Sequence, residues 1–438
     1  MNSEDGNGCS NFSYSLPELI TANLYRDVLR KKFESFKRST TERFDYGERV
    51  VKDFNTWIRI KIPAYRDHAP ITQLTELPTL TKAQIRGSRN DFRSTDFDPT
   101  LSWTKRTTGS TGPPFVLQYS TLFHHEITLL GIPKIVHRLG VWPDPSNRIY
   151  CLTIRDKPGE DPMVRFDPTH CGGTSVRVGF DTRSLKAVRD VLSVLCLLRP
   201  FCISSNPTVF ELICENSSSD ELRDAGVRVV VSGGGRLAPD QRSKLERLFE
   251  ARVCTAYGLS ELGVVASECR FGSMHFNTTD CHPEILASTR DTQITDGVGE
   301  IALTSTNNET MPFLRYRTGD LGRMSRNQCA CGDPSPVLLE LIGRTVPVFF
   351  LPSGRVLSPT QFRDTFDQFV WLKEFQLIQE QVNVFVVHYE THIPISGEDV
   401  ESFRTYFLAG LERGVDVVLR RHVFERDCKL QRYKTMLG

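Results

Sequence analysis

The stretch VRVVVSGGGRLAPDQRSKLERLFEARVCTAYG, residues 227–258, decides the fold. An apolar, β-branched run ends in three glycines, a helical pattern opens at Pro239, and a second β-prone run begins near Val253. The alternation continues outward: RIYCLTI and SLKAVRDVLSVLCLL precede it and EIALTS follows, covering residues 149–305. Such a chain predicts an α/β fold with helix-covered parallel or mixed sheets, and loops at the carboxyl ends of the strands available as a site.

Before this core, residues 17–62 read largely as helix, with Leu16, Ile20, Leu24, Val28, Leu29 and Phe33 near helical spacing and RDVLRKKFESFKR as a solvated face. Residues 63–150, punctuated by prolines from Pro63 to Pro145, predict loop-rich structure with one amphipathic helix from Ser120 to about Leu130. After Gly343 come VPVFFLPSGRVL, a helix from Ser358, QLIQEQVNVFVVHYE, a helix from Gly397 and a last strand with a basic tail. The expected organisation is a large N-terminal α/β body, residues 1–343, and a small α+β C-terminal domain, residues 344–438.

The 438 residues carry 54 Lys+Arg against 53 Asp+Glu, so no charge excess draws the chain to nucleic acid or to an anionic membrane. No 18-residue apolar run offers a transmembrane helix, and the acidic, polar N-terminus lacks the pattern of a secretory signal; the expectation is a cytoplasmic protein. In that compartment the 12 cysteines are not a disulfide framework.

Several polar clusters carry chemistry. Thr107-Thr108-Gly109-Ser110-Thr111-Gly112 offers freed backbone N–H groups and hydroxyls suited to a polyphosphate, although read alone it is equally a Ser/Thr/Gly turn. Ser232-Gly233-Gly234-Gly235, at a strand end, permits close approach of a planar ligand or a plain flexible turn. Ala256-Tyr257-Gly258-Leu259-Ser260-Glu261 adds an aromatic face and a carboxylate. Asp320 lies in a turn and Arg344 where composition changes; a ribose diol prefers a carboxylate and a phosphate a guanidinium.

In order and spacing, TTGSTGPP, SGGGRLAP, AYGLSELG, FLRYRTGDLG and LIGRT resemble the adenylate-forming (acyl-CoA synthetase/ligase) superfamily, specifically its phenylacetate-CoA ligase-like branch with capsular-polysaccharide-type relatives. The likeness extends to IPAYRDH, LPTLTK and CKLQRYK. It implies that a carboxylic acid, aryl or small organic, attacks the α-phosphorus of ATP, releasing pyrophosphate, and that the acyl group then passes to CoA or an acyl or peptidyl carrier-protein thiol. By the same likeness Thr107 to Gly112 cradle phosphates, Tyr257 packs on adenine, Glu261 and Thr111 hold Mg²⁺, and Asp320 takes the ribose hydroxyls. Ser232 to Gly235 line the adenine and acyl sites, Gly258 and Ser260 line the nucleotide site, and Arg344 touches the ribose. Residues 1–343 become a nucleotide- and acid-binding body and 344–438 a mobile C-terminal domain hinged at about 344–346. Lys429 becomes the catalytic cation of adenylation, with Lys434 as runner-up. Acyl-pocket candidates are His124, Gly235, Ala256 and Tyr257; of the adjacent His124 and His125, at most one faces the pocket.

One departure matters: Thr345-Val346-Pro347-Val348-Phe349-Phe350 stands where many relatives carry an acidic hinge pair. It motivates a second expectation, transfer of the adenylate to an amine or a dedicated partner without a CoA step. A third is a catalytically inactive nucleotide-binding assembly protein. The state expected is monomer or homodimer.

Cys269-x5-His275 follows the YGLSELG segment and Cys329-Ala330-Cys331-Gly332 follows the TGDLG segment. Brought together they make three thiolates and one imidazole, a closed tetrahedral set for structural Zn²⁺, with Cys281 and His282 as alternative ligands. The remaining cysteines read as ordinary apolar side chains.

Overall fold

The computed structural model describes residues 25–107, 115–143, 149–156, 163–168, 174–182, 184–287, 292–294, 297–344, 349–357, 362, 365–366, 368–369, 371–391, 393–409, 411–424 and 433–436. In chain order the strands are β1 (Ser102–Thr107), β2 (Phe115–Ser120), β3 (Ile149–Asp156), β4 (Met163–Pro168), β5 (Thr174–Phe180), β6 (Cys202–Ser205) and β7 (Val229–Gly233). They continue with β8 (Arg252–Leu259), β9 (Gly263–Glu268), β10 (Met274–Phe276), β11 (His282–Leu286), β12 (Gly299–Ser305), β13 (Phe313–Ser325) and β14 (Val337–Arg344). Last come β15 (Phe349–Phe350), β16 (Val356–Leu357), β17 (Leu372–Gln381), β18 (Val384–Thr391), β19 (Asp416–Arg421) and β20 (Tyr433–Thr435).

Twelve strands form one mixed sheet in the order β11-β12-β13-β14-β10-β9-β8-β7-β6-β3-β5-β4. Its parallel part is β5-β3-β6-β7-β8, the segment in which strands and helices alternate in sequence. The helix Leu185–Leu198 starts at Ser184, whose hydroxyl accepts from the Ala187 N–H, and ends at Arg199 in the left-handed region (φ 44°). Its buried Val188, Val191, Leu192 and Leu195 share a core with Leu152, Ile154, Val176 and Val178 of β3 and β5. Each such side chain contributes about 1.5–3 kcal/mol on burial. The opposite face packs Cys151, Cys202, Val231 and Cys254 against Ile135, Val136 and Leu139 of the helix Gly131–Leu139. These cysteines are apolar packing, as expected; Cys196, read the same way, is exposed.

Elsewhere the elements depart from expectation. The N-terminal helical region is not continuous: Arg26–Ser39 stops, and Tyr46–Asp53 restarts with Asp45 accepting from the Gly47 N–H. Pro133, read as a breaker, lies in the first turn of Gly131–Leu139, where a missing N–H forfeits no bond. The stretch 63–150 also forms a hairpin of β1 and β2, with Thr107 opposite Phe115. The helix Thr121–Leu129, capped by Ser120, falls where it is expected.

Beyond the large sheet, β19-β18-β17-β20 form a four-stranded sheet, accompanied by the helix Gly397–Ala409. Its own apolar cluster includes Phe349, Phe362, Phe366, Trp371, Phe385, Phe403 and Phe407. The basic tail contributes a strand to this sheet: β20 pairs in parallel with β17. The start of the helix expected from Ser358 lies outside the described residues. No helix among them is long and apolar enough to cross a membrane.

Candidate active site and metal centre

The glycine run sits at the carboxyl end of the parallel strands. Ser232 pairs with Thr255 and Gly233 with Ala256, placing the end of β7 beside β8. Gly234 has φ 75°, and a Cβ on Gly235 would meet Pro207 Cδ at 3.2 Å. The turn therefore needs glycine for shape at the first position and for space at the second. Ser232 is fully buried, and its Oγ has no hydrogen-bond partner among the described residues.

Asp320 is presented by an irregularity in β13. The β12–β13 register passes from Glu300↔Leu321 to Ala302↔Arg317, so residues 318–320 bulge outward. Glu300 holds the bulge by accepting from the Gly319 N–H at 3.1 Å and from Arg317 Nε at 2.8 Å, and Gly319 adopts φ 76°. Thr318 Oγ1 donates to the Ile301 carbonyl and accepts from the Asp320 N–H. Asp320 Oδ2 accepts from the Tyr257 hydroxyl at 2.7 Å. Tyr257 is 6% exposed, so little of its ring is open to a base; burial, and then the Asp320 carboxylate, pushes its hydroxyl pKa up. Arg344 ends β14 directly opposite Asp320.

Glu261, in the turn after β8, is buried; its Oε1 accepts from the Tyr316 hydroxyl at 2.9 Å and lies 3.5 Å from Lys82 Nζ. Lys82 Nζ also stands 4.8 Å from the centroid of the Phe115 ring. The Tyr119 hydroxyl of β2 donates to the Ser260 carbonyl. Tyr257, Tyr316, Phe115 and Tyr119 belong to one apolar cluster, so the Asp320 and Glu261 carboxylates share a wall. Lys82 and Tyr316 had no role in the sequence reading, although LPTLTK and FLRYRTGDLG contain them; their partners are far along the chain.

His124 stacks on Trp103 of β1, ring centroids 4.0 Å apart, while its neighbour His125 is buried on another face of the helix. Thr107 ends β1; Thr108, Gly109, Ser110, Thr111 and Gly112 lie outside the described residues, as do Lys429 and residues 345–346 of the expected hinge. Lys434, the alternative cation, is in register with Ile378 on the small sheet.

The structure brings Cys269, His275, Cys329 and Cys331 together, with one ligand atom from each within 4.8 Å of the others. Cys269 and Cys329 Sγ are 4.0 Å apart, and Cys331 Sγ is 3.3 Å from His275 Nε2. Both cysteine turns close on glycines in the left-handed region, Gly272 (φ 81°) and Gly332 (φ 87°). Backbone N–H groups of Phe271 and Asp333 donate to Cys269 and Cys331 Sγ, each at 3.4 Å. His275 Nδ1 is 3.0 Å from the Ser335 carbonyl, an arrangement that keeps the proton there and leaves Nε2 toward the thiols. Burial raises the Cys329 thiol, but hydrogen bonds from the Cys331 backbone, Ser273 and His275 outweigh it and bring its pKa to about 6. A soft S₃N donor set with an oriented imidazole fits Zn²⁺.

Arg138 underlies this cluster: it donates to Asp333 Oδ2 at 3.0 Å, Ser267 Oγ at 3.1 Å, the His275 carbonyl at 3.0 Å and Asn277 Oδ1 at 2.7 Å. Nothing local in the sequence marked it. The alternative ligands lie apart: Cys281 Sγ turns to the Asn277 carbonyl, and His282 opens β11.

No protein-family model matches the chain. In sequence it is 29% identical over 196 residues to a phenylacetate-coenzyme A ligase of Thermus thermophilus, 42% of this chain and 41% of that protein. It is 28% identical over 158 residues to a phenylacetate-coenzyme A ligase of Escherichia coli, 33% of this chain and 34% of that protein. The matched stretch thus spans less than half of either relative's length. In fold it is similar to a 2-hydroxyisobutyryl-CoA ligase in complex with 2-HIB-AMP and CoA, with TM-score 0.59, 13% identity, and coverage of 94% of this chain and 92% of that one. These matches support the phenylacetate-CoA ligase side of the motif resemblance and say nothing of its capsular-polysaccharide-type side. Over less than half its length the chain is similar in sequence to phenylacetate-coenzyme A ligases, and it shares its α/β fold with the 2-hydroxyisobutyryl-CoA ligase.

Proposed function

We propose that this protein is an AMP-forming ligase that activates a small carboxylic acid with ATP and passes the acyl group to CoA. The observation that carries this reading is the pair of tyrosine–carboxylate contacts, Tyr257–Asp320 and Tyr316–Glu261, in one apolar cluster beside the glycine-rich strand end. Asp320 takes the ribose hydroxyls, with Arg344 opposite it, and the backbone of Ser232 to Gly235 lines the nucleotide and acid sites. A substrate carboxylate oxygen attacks the α-phosphorus and the bond to pyrophosphate breaks; a thiol then attacks the acyl carbon and AMP leaves. Glu261 and Thr111 would hold Mg²⁺, which neutralises charge on the phosphoryl oxygens as pyrophosphate departs. Lys429 stabilises the charge that develops at the reacting carboxylate and α-phosphate. His124, Gly235, Ala256 and Tyr257 contribute to the acyl pocket.

Cys269, His275, Cys329 and Cys331 hold a structural Zn²⁺; four protein ligands leave no open position for chemistry. Residues 1–343 form the catalytic body and 344–438 the mobile cap. ATP–pyrophosphate exchange over a panel of acids tests the reading: one acid should drive exchange and then, with CoA, give an acyl-CoA detectable by mass. Exchange without acyl-CoA would move the acceptor to an amine, a carrier protein or a dedicated partner, and ATP binding with no exchange for any acid would leave a nucleotide-binding assembly protein.

A further inference from the structure

Beside the stem of the β1–β2 hairpin lies a cavity of about 420 Å³ whose lining includes Arg86, Ser88, Arg89, Asp91, Phe115 and Val116. That volume falls within the roughly 300–1,000 Å³ of small-ligand sites. Arg86 and Arg89 make no ion pair among the described residues, and the Nε atom of each is buried without a hydrogen-bond partner there. Both guanidiniums line the cavity with no carboxylate paired to them among the described residues, and two such charges at one cavity favour a bound anion. The wall that carries them is built firmly. Thr81 and Gln84 cap each other at the start of the helix Lys82–Gly87, Ile85 is fully buried, and the Asp91 N–H donates to the Ser88 carbonyl to close the following turn. Among the described residues that line it, Asp91 is the one carboxylate, against two guanidiniums.

We infer that Arg86 and Arg89 form a second anion site, distinct from the nucleotide contacts above, that binds a phosphate-bearing group. Paired guanidinium forks match phosphate oxygens two at a time. Lys82 Nζ stands 4.8 Å from the centroid of the Phe115 ring, which lines the cavity, so a third cation adds to the field that favours a multiply charged phosphate over a single carboxylate. On the function proposed above, the anion is either the pyrophosphate product or the phosphates of the acceptor.

Titration calorimetry on the full chain separates the two sources. With a non-hydrolysable ATP analogue saturating the nucleotide site, wild type should still take up one inorganic pyrophosphate. R86Q/R89Q should weaken that uptake by at least about tenfold, roughly what one charged hydrogen bond contributes. Its melting temperature and its affinity for the analogue should hold, and R86K/R89K, which keeps charge but not the forks, should fall between. If the acceptor supplies the phosphates, wild type prefers CoA over 3′-dephospho-CoA and R86Q/R89Q loses that preference. No binding of either ligand to wild type, or binding unchanged in R86Q/R89Q, overturns the proposal.

Discussion

Asp320 and Tyr257 are 63 positions apart, yet one 2.7 Å hydrogen bond joins them. Tyr257→Phe keeps the packed ring and removes the donor, so Asp320 loses its orientation. A hydrogen bond to a charged group contributes about 1.5–3 kcal/mol, so KM for ATP should rise about tenfold or more with little change in kcat, read by pyrophosphate exchange. A fall in kcat at constant KM would place the contact in the transition state instead. Glu261→Gln retains an oxygen for Tyr316 but removes the charge; exchange should fall at least about 100-fold at saturating Mg²⁺. His282 makes a separate, titratable prediction. Burial, then Arg326, lowers its pKa from 6.5 to about 4. Because the unfolded chain takes up this proton first, stability should be complete above about pH 6.5 and fall by up to about 3 kcal/mol as pH drops toward 4. Chemical denaturation of wild type and His282→Gln across that range checks it: equal acid slopes would remove His282 as the cause.

At the scale of elements, the Cys/His cluster joins two turns to the helix Gly131–Leu139 through Arg138. The sequence spells out both turns, because Cys-x-Cys-Gly and Cys-x5-His are local patterns whose glycines supply the left-handed residues. It does not spell out Arg138, whose side-chain partners Ser267, Asn277 and Asp333 lie between 129 and 195 positions away. The purified chain should hold about one zinc by elemental analysis, and Cys329→Ser should lose it. Arg138→Met leaves the Asp333 carboxylate buried without its cation; breaking such a pair costs roughly 3–5 kcal/mol, and zinc should leave faster to a chelator. Wild-type zinc retention in Arg138→Met would mean the guanidinium only packs. Gly131–Leu139 carries a related lesson: proline looked like a stop signal, but a first-turn proline is compatible with a helix.

At the scale of the molecule, the four-stranded sheet and its aromatic cluster form a packing unit beside the twelve-stranded sheet. If residues 344–438 are a separate cap, limited proteolysis should cut first near residues 344–348 and calorimetry should resolve two transitions. One transition with protected linker bonds would argue for a single cooperative unit. The chain alone determined β3, β7, β8 and β12, the helices Leu185–Leu198 and Pro239–Phe249 that alternate with them, the Thr121–Leu129 helix and the composition of the Cys/His cluster. Those follow from hydrophobic period, capping residues and short-range spacing, all of which act within a few turns of chain. Tertiary structure decided which distant groups meet: Tyr316 with Glu261, Lys82 with Glu261, Arg138 with Asp333, and Arg86 with Arg89 at one cavity. It also returned the tail to the small sheet as β20. Pairing across a fold depends on register and on burial of the intervening sheet, and a linear pattern carries neither.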